Sequence, residues 1–101
     1  YLALAAYITA GMDGVRKRLD PGKPNLNENM YELGLDEIAR RGVKIVPQSL
    51  FEALEELKAD SVVQGALGPA YPEYLRLKEG EWRQYHRTVS PWEVERYLTM
   101  F

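Results

Sequence analysis

The chain contains no cysteine and only one histidine, His86, among its 101 residues. These counts exclude a disulfide framework, a cysteine zinc site and a mixed histidine–cysteine metal site. Basic and acidic residues nearly balance, 13 against 15. That balance gives no electrostatic reason to expect nucleic acid or an anionic membrane as a partner. The sequence also lacks the basic n-region and the small-residue cleavage site of a signal peptide, so we expect a cytoplasmic protein.

No apolar run is long enough to span a membrane, which takes about 20 residues. The longest run begins the chain and breaks at Asp13. It predicts a helix over Leu2–Arg18 that is apolar on nearly every side. Soluble helices of this kind are buried inside larger proteins. The remaining residues look too few to cover it. We therefore expect the chain to be the end of a larger protein.

A loop and an extended segment follow the first helix. Proline, glycine and asparagine residues predict a loop over Asp20–Asn29. Large side chains at Met30, Tyr31, Leu33 and Leu35 are expected to hold the far end of this loop onto the body. Asp36 is predicted to N-cap a short helix that Gly42 ends. Residues 43–47 could form a lone strand, but we favour an extended connector because no partner strand is evident.

The second half of the chain predicts four more helices, so the fold class is all-α. Ser49 with Glu52 is typical of a capping box, and Asp60 can cap the next short helix, which ends at Gly68-Pro69. The longest helix is predicted over Pro72–Thr88, with an apolar and aromatic stripe. Ser90, Pro91 and Glu93 predict the start of a final helix over residues 91–100.

No catalytic, cofactor-binding or metal-binding residue can be assigned from the pattern. His86 is expected to be structural or on the surface. The three carboxylates Glu52, Glu55 and Glu56 are expected to form a solvated helix face. The aromatic stripe through Tyr74, Trp82 and Tyr85 is interpreted as packing rather than as a ligand platform.

Several segments, in order along the chain, resemble the C-terminal helical part of the glutamine synthetase catalytic domain. The first is YLALAAYITAGMDGVRKRLDPG, with Ala10-Gly11 and Asp13-Gly14-Val15 at the family's Ala-Gly and Asp-Gly-Ile positions. The others are NENMYEL (Asn27–Leu33), PQSLFEALEELKAD (Pro47–Asp60) and the ending with Glu93, Glu95 and Tyr97. The resemblance covers residues 1–101 and is greatest to the type III, or GlnT-like, subgroup. It implies the helical part of that domain without the sheet of the active-site barrel.

This resemblance implies a fragment of an ATP-dependent ligase that makes glutamine from glutamate and ammonia with Mg²⁺ or Mn²⁺. The family's catalytic, nucleotide and metal residues lie before Tyr1 and between identical subunits. This chain is therefore expected to be structural, to support the oligomer and to be inactive alone. Two alternatives remain: a γ-glutamylamide or γ-glutamylpolyamine ligase, and a free-standing helical interaction module. The expected partners are the rest of the parent chain, identical subunits and, for the isolated chain, another copy bound through Tyr1–Met12.

One residue is a possible modification site by resemblance. Tyr31 matches the tyrosine that some bacterial family members adenylylate to reduce activity. Met30 stands where those members have leucine, and Gly34 stands where they have proline. The alternative interpretation is that Tyr31 anchors the loop to the body.

Overall fold

The computed structural model describes residues 1–25, 28–98 and 100, and within these ranges all regular structure is helical. The helices are α1 (Leu2–Lys17), α2 (Leu35–Arg40), α3 (Leu50–Ala59), α4 (Ser61–Leu67), α5 (Tyr71–His86) and α6 (Pro91–Tyr97). Short 3₁₀ turns occupy Met30–Glu32 and Gly68–Ala70. The all-α prediction is confirmed. The predictions for Leu26 and Asn27 in the loop, and for Thr99 and Phe101 at the end, lie outside the described residues.

The core of the chain is small and lies where α3, α4 and α5 pack together. Leu54 on α3 is 3% exposed and Leu67 on α4 is 8% exposed, and these are the buried apolar residues of the described ranges. Apolar burial supplies most of the free energy that stabilises a fold, so few side chains carry most of that stabilisation here.

Helix α1 packs on α4 but keeps most of its apolar surface in solvent. Leu4 is 60% exposed, Tyr7 is 81% exposed and Ile8 is 55% exposed. The expectation that this chain cannot cover its first helix is thus confirmed. The helix ends at Lys17, one residue before the predicted end, and its C-cap Arg18 has a left-handed φ of 52°. Among the described ranges, no helix combines the length and the apolar character that crossing a bilayer requires.

The start of α2 corrects the prediction for Asp36. The helix begins at Leu35, and its N-cap is Gly34 in an extended conformation, with φ −67° and ψ 153°. The carbonyl of Gly34 accepts hydrogen bonds from the amides of Glu37 and Ile38, at 3.0 and 3.1 Å. Asp36 therefore lies inside the first turn, where its charge complements the helix dipole but caps nothing. Gly42, with φ 69°, follows the helix as predicted.

Side-chain caps fix the starts of α3, α4 and α6. The oxygens of Ser49, Asp60 and Ser90 each accept from a backbone amide in the first turn of their helix. Ser90 and Glu93 form the predicted capping box in both directions. At α3 the reciprocal hydrogen bond of the predicted capping box is different. The Glu52 carboxylate accepts from the amide of Gln48, at 2.7 Å, rather than from that of Ser49. Residues 43–47 form no strand and no helix, which agrees with the prediction of a connector rather than a strand.

The bounds of the last two helices differ from the prediction. Helix α5 begins one residue early, at Tyr71, because the 3₁₀ turn Gly68–Ala70 leads directly into it. It ends two residues early, at His86, and α6 ends at Tyr97 rather than at residue 100. Packing supplies most helical stability, and Trp92 of α6 and the C-cap residue Leu98 remain 61% and 77% exposed. Little packing is therefore available to extend the final turn.

The described chain is extended. Its Cα radius of gyration is 18.5 Å and its principal extents are 58 × 41 × 21 Å. A compact domain of this length has a radius of about 13 Å. The large radius agrees with the small core and with the exposed first and last helices.

The two serine caps should contribute measurably to stability. We expect Ser49→Ala and Ser90→Ala each to lower the free energy of unfolding by about 1 kcal/mol, because each removes the acceptor for a first-turn amide. Urea denaturation followed by far-UV circular dichroism measures the change. Ser61→Ala is the matched control, since Asp60 rather than Ser61 caps α4. Equal midpoints for all three variants and the parent would show that the caps carry no stability.

Candidate functional site

The possible modification site, Tyr31, lies in a short polar turn with its side chain in solvent. The Tyr31 turn (residues 28–33) contains the 3₁₀ segment Met30–Glu32, capped by Asn29. The Asn29 side chain accepts from the Tyr31 amide at 3.1 Å and donates to the Glu32 carboxylate at 2.8 Å. Tyr31 itself is 99% exposed. Its phenol hydroxyl is accessible in this chain, and the alternative that Tyr31 anchors the loop is wrong here.

The expected anchoring of the loop by large apolar residues is only partly present. Met30 and Leu33 are half-buried, but Leu35 is 70% exposed. The turn is tied to α2 instead by an ion pair between Glu28 and Arg41. Arg41 also binds Glu37 of α2, with its Nε 2.7 Å from the Glu37 Oε1. Sequence reasoning missed this tie, since no local pattern signals a pair separated by thirteen positions.

Trp82 is the centre of an aromatic cluster between α3 and α5. Its ring centroid lies 5.9 Å from that of Phe51, 6.1 Å from that of Tyr85 and 5.4 Å from that of His86. The contact with Phe51 joins two helices, which confirms the packing interpretation for Trp82. His86 stacks on the indole at an interplanar angle of 20° and is exposed, so its place is structural. Tyr74 is half-buried, with the Lys78 ammonium 6.0 Å from its ring centroid.

The acidic face of α3 is exposed but not free of contacts. Lys58 lies between Glu55, at 2.9 Å, and Glu79 of α5, at 2.8 Å. The hydrogen bonds that the Lys58 ammonium donates to these carboxylates, foremost the one to Glu79, raise the pKa of Lys58 above its ordinary value. Lys58 in turn lowers the pKa of Glu79. Glu52 is engaged with the amide of Gln48, as described above. The prediction of a solvated face thus missed two structural contacts.

The described residues do not form a metal site. No three histidine or acidic side chains of these ranges lie close enough together to hold a metal ion. An open groove of about 730 Å³ lies between α3 and the connector. Its lining combines apolar connector residues with Glu52 and Glu56. It gathers no set of groups suited to acid–base or nucleophilic chemistry.

A family model places the whole helical assembly in a known domain. The model for "Glutamine synthetase, catalytic domain" matches residues 1–97. The match covers every helix that the structure describes and therefore extends well beyond a single motif.

Individual relatives support this match along nearly the full chain. A glutamate–methylamine ligase of Methyloversatilis universalis is 52% identical over 101 residues. A glutamine synthetase of Methanosarcina mazei is 42% identical over 101 residues. The chain spans 23% and 22% of the length of these two relatives.

A solved structure shares the fold of the chain. It is described as apo GmaS without ligand, and it superposes with a TM-score of 0.69 at 32% sequence identity. The superposition covers 93% of this chain and 21% of that one. The helical arrangement described above is therefore similar to a portion of a much larger protein.

Proposed function

Because the chain belongs to the glutamine synthetase catalytic-domain family, we propose that it acts as the C-terminal helical part of an ATP-dependent ligase that forms glutamine from glutamate and ammonia. The match of the catalytic-domain family to residues 1–97 carries this proposal. The same match disfavours the interpretation as an unrelated, free-standing interaction module.

The role proposed for this part is structural. Its described residues form no metal cluster, and its groove gathers no catalytic set, so they do not fit ATP or the Mg²⁺ or Mn²⁺ that the ligase would use. Those groups would be bound by residues outside this chain. The exposed apolar side of α1 supports a role in packing against the rest of the parent chain and against identical subunits. We place the parent enzyme in the cytoplasm.

A second candidate differs only in the acceptor. The 52% identity to a glutamate–methylamine ligase favours an alkylamine in place of ammonia. The related γ-glutamylpolyamine ligase is an alternative of the same kind. All of these reactions join an amine to the γ-carboxylate of glutamate, and no described residue of this chain has a geometry that would distinguish the acceptors.

The test uses the longer protein that contains this chain. We expect the purified protein to release phosphate from ATP only when glutamate, a divalent cation and an amine are all present. Comparing kcat/KM for ammonia, methylamine and a polyamine identifies the acceptor. Absence of γ-glutamyl product with every amine would overturn the proposal.

We expect the 101-residue chain alone to have no ligase activity, because its described residues form no metal cluster and line no groove with a catalytic set of groups. The measurement is γ-glutamyl product formation by the pure chain at high protein concentration. The longer protein, assayed in parallel, is the positive control. Turnover by the isolated chain would contradict the structural role.

Modification of Tyr31 is a further part of the proposal. Its 99% exposed side chain is accessible to a modifying enzyme, and a bulky anionic group there would change the local charge. Intact mass and peptide mass spectrometry of the protein from its native cells would show the modification. Tyr31→Phe is the control, since it removes only the acceptor oxygen. An unmodified Tyr31 under both nitrogen-rich and nitrogen-poor growth would refute it.

A further inference from the structure

The Tyr31 turn is held largely by polar contacts. No described residue of the turn is buried. Asn25 fixes the backbone of Glu28 locally, accepting from its amide at 3.3 Å and donating to its carbonyl at 3.0 Å. Within the turn, Asn29 accepts from the Tyr31 amide and donates to the Glu32 carboxylate, as described above. These contacts shape the turn, but they do not attach it to a helix.

Attachment comes from Arg41, which follows the last residue of α2. One side of its guanidinium binds the Glu28 carboxylate, and Nε binds Glu37, so one planar group joins the turn to the helix. Within the part of the chain that the structure describes, this is the one ion pair or side-chain hydrogen bond between the turn and α2. The two carboxylates, that of Glu37 foremost, raise the pKa of Arg41.

We infer that Arg41 is a positioning residue, an electrostatic latch that fixes the Tyr31 turn against α2 through Glu28. The Arg41 and Glu28 side chains are 36% and 53% exposed, so salt screens their attraction. The presentation of Tyr31 should therefore depend on ionic strength and on the charge at position 41. This inference concerns the placement of the turn, and it stands whether or not Tyr31 is modified or the parent is a ligase.

Hydrogen exchange of three turn amides reports the latch directly. The Tyr31 amide donates to Asn29 Oδ1 at 3.1 Å, that of Glu32 to the Asn29 carbonyl at 3.1 Å, and that of Leu33 to the Met30 carbonyl at 3.4 Å. We expect Arg41→Gln and Glu28→Gln each to speed exchange of these amides about three- to fivefold, the effect of losing one exposed ion pair in a small network. In 0.5 M salt the parent should approach the variants, while the variants change little.

Arg40→Gln is the matched control. Arg40 is the neighbouring arginine and also pairs with Glu37, at 2.6 Å, but among the described residues no ion pair or side-chain hydrogen bond joins it to the turn. It should leave exchange of the three amides unchanged. The double variant Glu28→Gln with Arg41→Gln should exchange no faster than either single variant, because both remove the same pair.

Glu28→Gln leaves the contact between Arg41 and Glu37 intact, so it tests the latch even if Arg41→Gln loosens α2. Equal exchange in the parent and Glu28→Gln would overturn the inference. So would an Arg40→Gln effect as large as that of Arg41→Gln, or additive effects in the double variant.

Discussion

The isolated chain should self-associate through Tyr1–Met12. Leu4, Tyr7 and Ile8 are each more than half exposed on α1. Removing one such side chain from water is favourable by about 1.5–3 kcal/mol of free energy. Covering three of them in an interface therefore strongly favours association. A second copy offers the same surface, which suits the self-complementary contact of a twofold dimer. We expect Leu4→Lys with Ile8→Lys to shift the chain to monomer while most of its helical signal persists. Multi-angle light scattering and far-UV circular dichroism measure these two outcomes.

The matched control places the same two lysines on the other exposed apolar helix. Val94 of α6 is 44% exposed, and Leu98, the C-cap residue of α6, is 77% exposed. Val94→Lys with Leu98→Lys adds the same charge but leaves α1 unchanged, so it should not dissociate the chain. A parent that is monomeric at high concentration would contradict the prediction. If Val94→Lys with Leu98→Lys dissociates the chain and the α1 variant does not, the interface lies at α6 rather than at α1.

Leu54→Ala should destabilise the chain more than any other single truncation proposed above. Leu54 is 3% exposed, on the helix that packs against both α4 and α5. Truncating a buried leucine to alanine lowers the free energy of unfolding by about 2–5 kcal/mol, because apolar contact is lost and a cavity remains. Whole domains are stable by about 5–15 kcal/mol, so this loss removes a large share of the total. We expect a strongly lowered urea midpoint, or no cooperative transition at 25 °C.

Leu77→Ala is the control for Leu54→Ala. It makes the same chemical change on α5, where Leu77 is 50% exposed. It should lower the free energy of unfolding by less than about 1 kcal/mol. If the two variants unfold at the same urea concentration, the core does not lie where α3, α4 and α5 meet.

Local signals in the sequence predicted the helices well. A serine or aspartate oxygen acts within three residues of its own position, so Asp60 and Ser90 could be recognised as caps without tertiary information. Asp36 failed because an extended Gly34 can start a helix without any side-chain oxygen. Helix α6 ends early because few side chains pack around it. The apolar pattern of the sequence does not show how much packing a helix receives.

The candidate site was less predictable, because its contacts are not local. The sequence marked Tyr31 by resemblance, but the exposure of its side chain depends on how the whole turn is oriented. The pairing of Glu28 with Arg41 joins residues thirteen positions apart, and Lys58 reaches Glu79 across two helices. Charged residues are frequent on any surface, so composition does not indicate which of them meet.

The extended shape has a hydrodynamic consequence. A compact protein of twice this length, about 200 residues, has a radius of gyration of about 16–17 Å by the usual size scaling. The single chain already reaches 18.5 Å. A monomer should therefore elute from a gel-filtration column at the volume of a globular dimer. Its oligomeric state must be measured as mass rather than as size.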